Sequence, residues 1–134
     1  MDTGKSALGM DGNLAAALGY PIGIIAIISL IMEKENRFVK FHALQSLLLH
    51  VAFIVVAIAV WIIGIVLLIA GMAASAATNS GAGVGLMGLL SMLIWLAFFV
   101  TYVGVLIFAA VKAYGGNYFK LPVIGNMAEK FANK

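Results

Sequence analysis

Two histidines, a glutamine and a serine lie in one short segment that leads into a long apolar run. His42, Ser46 and His50 are four residues apart, so on an α-helix they line one face with Gln45 beside them. An ionisable side chain in a membrane helix is a candidate for cofactor ligation or proton transfer. The two histidines lie about 12 Å apart along such a helix, at about 1.5 Å per residue, which is too far for both to bind one metal ion.

His50 has two interpretations from the sequence. It is an axial ligand of a haem or chlorophyll, or part of a proton path, if the fold provides a pocket. Alternatively it is a neutral imidazole hydrogen-bonded to a neighbouring helix, which costs little compared with burying a charge. His42 is expected near the cytoplasmic interface, facing water or a lipid phosphate, and Gln45 is expected at the same interface. The side chains of Lys34, Arg37 and Lys40 are expected to reach lipid phosphates there.

The remaining polar residues do not form a catalytic set. The carboxylates Glu33 and Glu35 stand beside Lys34 and Arg37, where a solvated network of ion pairs is the ordinary explanation. The metalloprotease and nucleophile motifs are absent from the sequence, and no nucleophile has a base at suitable spacing. We therefore expect a protein that is not an enzyme.

Composition places these residues in a membrane. Of the 134 residues, 64% are hydrophobic and 10% charged, against about 45–50% and about 25% in soluble domains. Such a chain cannot cover its core with polar surface, so lipid must solvate much of it. The absence of cysteine excludes disulfides and thiolate metal sites. The net charge of +3 is small and localised, which indicates a topology signal and no nucleic-acid partner.

The apolar runs predict an all-α integral membrane protein with three transmembrane helices in a single domain, residues 1–134. The spans are expected at about 14–32, 42–74 and 85–111, because about 20 apolar residues cross a hydrocarbon core of about 30 Å. Backbone groups in lipid must pair within their own segment, so each span should be helical.

Cations predict the orientation of these spans. Lys34, Arg37 and Lys40 follow the first span, and Lys120, Lys130 and Lys134 lie in the tail, whereas residues 75–83 carry no charge. The positive-inside rule then places the first loop and the C-terminus in the cytoplasm, and the N-terminus outside.

The tail predicts a short interfacial amphipathic helix at about 121–132. Val123, Ile124, Met127 and Phe131 recur at helical spacing. Lys120 and Lys130 are placed for anionic lipids of the cytoplasmic leaflet. The alternative is that this helix docks on the protein's own first loop or on a partner.

Glycines mark where helices can approach closely. Gly19 and Gly23 have the four-residue spacing of close helix packing, and Gly64 and Gly71 lie one heptad apart. The contacts they permit are intramolecular, or they lie against a partner subunit or a second copy of the chain.

Three segments carry a family resemblance. They are residues 9–20, the block 33–46 with Glu-Lys-Glu-Asn followed by Phe-His-Ala and Gln-Ser, and residues 120–125 with 128–130. Together they resemble a family of small prokaryotic membrane proteins of unknown function. That family is distantly similar to the twenty-kilodalton Tic component of the chloroplast import machinery. The resemblance implies a compact helical membrane domain and a role in translocation.

Three functions follow as hypotheses. The first is a small non-catalytic accessory or scaffold subunit of a larger membrane complex, in contact with the bilayer, other subunits or a second copy. The second is a translocation component for a polypeptide or small solute, with the polar face of the second helix lining its path. The third is a subunit that binds haem or chlorophyll through His50.

Overall fold

The computed structural model describes residues 3–133, and these are helical apart from loops and one isolated bridge between Lys5 and Asp11. Lys134, one of the predicted cytoplasmic cations, lies outside the described residues. The helices are α1 (Gly12–Leu18), α2 (Gly23–Met32), α3 (Arg37–Thr78), α4 (Ala82–Tyr114) and α5 (Ile124–Ala132).

The chain divides into two compact units. The first contains the described residues up to Ala52 together with those from Gly104 onward, and the second is Phe53–Val103. The first unit holds α1, α2, α5 and the polar residues singled out from the sequence. The second consists of the C-terminal part of α3, the loop after it and the N-terminal part of α4.

α3 begins where Asn36 caps it. The Asn36 side-chain oxygen accepts the Val39 amide at 3.2 Å, and its main-chain oxygen accepts the Lys40 amide. An asparagine in this position satisfies amides that have no partner inside the helix. The Glu33 carboxylate in turn accepts the Asn36 amide at 3.0 Å, so residues 33–36 form a rigid corner.

The predicted first span is not one helix. α1 ends at Leu18, α2 starts at Gly23, and Pro21 lies between them. Proline has no amide hydrogen, so the Ala17 carbonyl accepts the Tyr20 amide instead and the chain turns. The bend brings Gly19 against Ala26, where an added Cβ would lie 3.4 Å from the Ala26 Cβ. The sequence analysis had expected one span over residues 14–32.

The segment before α1 contacts the loop that follows α2. The Ala7 amide donates to Glu33 Oε2 at 2.8 Å, and Asn36 Nδ2 donates to the Thr3 carbonyl at 2.7 Å. The start of α1 also reaches the end of α4, since Asn13 Nδ2 donates to the Tyr114 carbonyl at 2.9 Å. The N-terminal segment therefore lies beside the first loop, not on the far side of a span from it as the sequence analysis expected.

The two other predicted spans lie inside long apolar helices, which confirms an all-helical chain with two helices able to cross a bilayer by length and composition. α3 has 42 residues and is about 63 Å long at about 1.5 Å per residue. That is twice the thickness of a hydrocarbon core of about 30 Å. Only part of α3 can therefore lie in the membrane interior.

Glycines bring α3 and α4 together in the second unit. An added Cβ at Gly83 would lie 2.6 Å from the Gly71 carbonyl oxygen, and one at Gly64 would lie 3.1 Å from Ser91 Oγ. The intramolecular interpretation of Gly64 and Gly71 therefore agrees with the packing. Phe53 adds a stacked contact with Tyr102, with ring centroids 3.7 Å apart.

α5 packs on the first turns of α3 by small side chains. Ala128 and Ala132 are buried against Phe41, with Leu44 and Leu48 at the edge of the cluster. The predicted interfacial helix thus packs on α3 within its own unit, whereas the alternative interpretation had placed it on the first loop or on a partner. Its larger apolar side chains, Val123, Met127 and Phe131, remain largely exposed beside the packed face.

The segment before α5 is a tight turn. The Ile124 amide donates to the Pro122 carbonyl at 2.7 Å, and Val123 has φ 65° and ψ −58°. This is the geometry of the rare γ-turn with a positive φ, which is strained for a β-branched residue. The turn brings Gly125 against Gln45, and a Cβ at Gly125 would lie 2.8 Å from the Gln45 side-chain oxygen.

The glycine contact in the second unit makes a prediction. Gly83→Ala is expected to lower the free energy of unfolding by about 1–3 kcal/mol, because the new methyl group overlaps the Gly71 carbonyl. Gly88→Ala is the matched control, since a Cβ there meets no heavy atom of the described chain within 4 Å. Denaturation followed by circular dichroism in micelles compares them. Equal stability of the two variants would show that the close approach is wrong.

Candidate functional site

His42 lies fully buried in the second turn of α3, inside a cage of aromatic rings. The Phe38 and Phe41 rings contact it edge-on, with centroids 4.5 and 4.9 Å from the imidazole, and the Tyr118 ring stacks at 6.2 Å. The sequence analysis had expected water or a lipid phosphate at this side chain. The structure replaces both with protein groups.

The hydrogen bonds of His42 define its protonation. Nε2 lies 3.0 Å from the Asn117 carbonyl oxygen, which can only accept, so Nε2 carries a hydrogen. Nδ1 lies 2.9 Å from the Tyr20 hydroxyl. In the neutral imidazole that a buried site favours, Nδ1 accepts the Tyr20 hydrogen. Both ring nitrogens are thereby satisfied.

Gln45 joins three parts of the chain. Its Nε2 donates to the Tyr20 hydroxyl at 2.7 Å and to the Phe119 carbonyl at 3.0 Å, and its Oε1 accepts the Leu121 amide at 3.0 Å. One fully buried amide therefore ties α3 to the α1–α2 turn and to the segment before α5. Both hydrogens and the oxygen of the amide are used.

Ser46 completes the attachment of the α1–α2 turn. Its hydroxyl donates to the Gly19 carbonyl at 2.6 Å, and the side chain is fully buried. Gly19 stands at the end of α1, where a carbonyl lacks a helical partner. Ser46 therefore stabilises the bend that Pro21 imposes.

His50 makes a hydrogen bond along its own helix. Nδ1 donates to the Ser46 carbonyl at 2.7 Å, which is the opposite tautomeric preference to that of His42. Gly23, the first residue of α2, lies against the ring, and an added Cβ there would be 3.6 Å from Nε2. The start of α2 thus lies beside the ring nitrogen through which a haem or chlorophyll would be ligated.

The predicted lipid-contacting cations surround this network without entering it. Lys34 and Arg37 are exposed at the start of α3, and Lys40 is half-buried one turn later. Lys120 pairs with Glu129 at 2.7 Å on the surface, and Lys130 is exposed on α5. These side chains are available to solvent or to lipid headgroups.

Glu33 corrects one prediction. The side chain is 6% exposed, and its two oxygens accept the Ala7 and Asn36 amides. The sequence analysis had assigned Glu33 to a solvated network of ion pairs. A carboxylate three residues before a capping asparagine was the available signal for a structural role, because such oxygens commonly bind amides at a helix start.

Two tyrosines that sequence reasoning missed belong to this site. Tyr20 is fully buried and bonds both His42 and Gln45. Tyr118 packs on the aromatic cage. Burial raises the pKa of the Tyr118 phenol, and the charge of Arg37 opposes that rise. A single tyrosine next to the only proline of the first apolar run was the sequence signal for Tyr20, though spacing alone does not indicate its partner.

The fold and this site define a helical membrane protein whose buried polar residues hold the chain together. The family model of magnetosome magnetite crystal formation proteins, MamF and MmsF, matches residues 6–128, and the chain belongs to this family. No solved structure matches it significantly.

Two archaeal relatives cover nearly the whole chain. A UPF0132 membrane protein of Methanocaldococcus jannaschii is 38% identical over 130 residues, which are 96% of each chain. A UPF0132 membrane protein of Archaeoglobus fulgidus is 36% identical over 125 residues, 90% of this chain and 95% of its own. Both are named as membrane proteins, which supports the membrane assignment.

The bridging role of Gln45 makes a prediction. Gln45→Ala is expected to lower the free energy of unfolding by about 1–3 kcal/mol for each buried group left without a partner, and to release α5. Hydrogen exchange at residues 121–132 should then rise relative to the wild type. Asn126→Ala, on the exposed face of α5, serves as the control. Unchanged exchange in Gln45→Ala would contradict the bridge.

The burial of the polar side chains His42, Gln45 and Ser46 on α3 makes a second prediction. The test uses the natural absence of cysteine. Ser46→Cys should resist a water-soluble maleimide, because the side chain is enclosed. Glu35→Cys, exposed in the loop, should react at the rate of a free thiol. Mass spectrometry of the intact protein measures both. Rapid labelling at position 46 would indicate an aqueous path along this face.

Proposed function

We propose that this protein is a small non-enzymatic accessory or scaffold subunit of a larger assembly in the prokaryotic plasma membrane. The observation that carries the proposal is the hydrogen bonding of the buried polar side chains at the start of α3. Hydrogen bonds to the chain's own backbone and to the Tyr20 hydroxyl are made by His42, Gln45 and Ser46. Groups satisfied in this way rigidify a fold and are poorly suited to acid–base work.

The apolar surface supports association within the membrane. Ile24 and Ile31 on α2, and Leu96 and Phe99 on α4, are more than half exposed. Lipid chains, a second copy or other subunits would cover such surfaces, since helices in membranes associate through packing of this kind. A subunit with buried, hydrogen-bonded polar groups and extensive exposed apolar surface on its helices fits a structural role.

The family name refers to magnetite crystals, and we do not extend that role to this chain. Iron oxide contacts would call for free oxygen ligands, for which carboxylates are the usual side chains. Glu33, the buried carboxylate of the described residues, is occupied by two backbone amides. What we carry over from the family is the membrane domain itself.

Site-specific cross-linking tests the scaffold role. A photo-reactive phenylalanine analogue at Leu96, exposed on α4, should give a discrete adduct with a protein in native membranes. The same analogue at Phe41, which is buried against α5, is the control and should give none. Lipid adducts alone at Leu96, together with a lone monomer after mild extraction, would refute the proposal.

Translocation remains the second hypothesis, because the resemblance to the import component suggested it. A path along α3 would need its polar stripe to face a water-filled cavity. The bonds of Gln45 to Phe119 and Leu121 occupy the side chain that would line such a path. The geometry therefore favours the scaffold over the channel.

We further propose that the membrane holds two complete spans, in α3 and α4, with both ends of the described chain in the cytoplasm. The contacts of Thr3 and Ala7 with residues 33–36 support it. Lys5, Lys34 and Arg37 then share one side, in keeping with the positive-inside rule. α1 and α2, with 7 and 10 residues, form a re-entrant pair that enters one leaflet, with the turn packed on Ser46.

Single cysteines decide between this arrangement and three spans. Lys5→Cys, Lys34→Cys and Asn126→Cys should react with an impermeant maleimide only in inverted vesicles. Ser80→Cys, between α3 and α4, should react only in intact cells. With three spans, the thiol at position 5 would instead react in intact cells, together with that at position 80.

A further inference from the structure

An open cavity of about 860 Å³ lies at the corner where α3 begins. Three segments of the first unit wall it: the N-terminal residues 3–7, the loop around residues 32–38, and Gly116 with Tyr118 from the tail. The contacts of Asn36 and Glu33 with the N-terminal segment hold these walls together. The cavity is thus a product of the tertiary fold and not of one loop.

Three cations line this cavity: Lys5, Lys34 and Arg37. Lys5 and Arg37 are 32 residues apart in the sequence, and all three side chains are exposed. Two carboxylates also line it. Glu33 directs its oxygens to the Ala7 and Asn36 amides, which leaves Glu35 as the exposed opposing charge. The three cations and two carboxylates give the lining a net charge of +1, and its exposed charges are three cations against one carboxylate.

The same cavity has an apolar side. Met32 and Phe38 belong to its lining, and Tyr118 contributes an aromatic ring that carries a hydroxyl. Met32 is the last residue of α2, and Ile31 beside it is 72% exposed. Further isoleucines, Ile24, Ile27 and Ile28, continue the exposed apolar surface along α2. A charged cavity therefore opens at the end of an apolar helix surface.

We propose that this cavity binds the phosphate of an anionic lipid headgroup, with the acyl chains lying along the exposed isoleucines of α2. Arg37 and the two lysines supply charge-assisted hydrogen bonds to phosphate oxygens. The positive end of the α3 dipole adds to their attraction. The inference goes beyond the scaffold role, since it assigns a ligand and a place where the chain binds it.

A lipid phosphate fits better than free phosphate for two reasons. The cavity is open and larger than a phosphate ion needs, and its apolar side continues onto α2. A free ion would use only the cations, whereas a lipid would use both surfaces. The two sources share the same phosphate chemistry, so the experiment must separate them.

Native mass spectrometry of the full-length protein in detergent, titrated with dioleoylphosphatidylglycerol, measures the binding. The triple variant Lys5→Gln/Lys34→Gln/Arg37→Gln should bind the lipid about a hundredfold more weakly, at about fivefold for each cation near the headgroup. Lys112→Gln/Lys120→Gln/Lys130→Gln removes the same charge outside the cavity lining. It should change the affinity by about twofold or less.

Further measurements separate the sources and guard against misfolding. Lys5→Gln alone replaces an exposed side chain and should weaken binding about fivefold with an unchanged circular dichroism spectrum. Glycerol phosphate at millimolar concentration should fail to displace the lipid. Equal losses in both triple variants, an unaffected Lys5→Gln, or displacement by glycerol phosphate would each overturn the proposal.

Discussion

The structure of the first unit depends on the buried amide of Gln45. A primary amide has two hydrogens and an oxygen that must be satisfied away from water, and leaving them unpaired costs several kcal/mol. Tyr20, Phe119 and Leu121 supply the partners. Because these residues come from the α1–α2 turn and from the tail, the fold must bring both onto α3 to satisfy one side chain.

The same constraint explains how the broken helix is stabilised. Pro21 prevents α1 from continuing and leaves backbone groups at the turn without helical partners. Ser46 satisfies one of these groups by donating a hydrogen bond to the Gly19 carbonyl. The Tyr20 hydroxyl is hydrogen-bonded to His42. The close approach at Gly125 lets the tail reach Gln45 from the other side. Polar residues on α3 therefore substitute for the water that a soluble turn would use.

Sequence reasoning located the long helices and the polar stripe, because both follow from local periodicity. The runs within α3 and α4 are apolar enough to be recognised alone, and His42, Gln45 and Ser46 share a face by spacing. It could not reveal the partners, since Tyr20 and Asn117 lie 22 and 75 residues from His42. The prediction of a first span at 14–32 was wrong as one helix. It gave more weight to the length and hydrophobicity of the segment than to Pro21, which ends α1. The role of Glu33 was missed in part because one of its partners, the Ala7 amide, lies 26 residues away in the sequence.

The tautomers of the two histidines test the central claim most directly. The network requires neutral His42 with hydrogen on Nε2 and a lone pair on Nδ1 that accepts from Tyr20, whereas His50 carries hydrogen on Nδ1. Nitrogen NMR of ring-labelled protein distinguishes these forms, and His50→Gln leaves one histidine to observe. The account predicts a pyridine-like Nδ1 for His42 that changes in Tyr20→Phe. A hydrogen on His42 Nδ1, or no response to Tyr20→Phe, would contradict it.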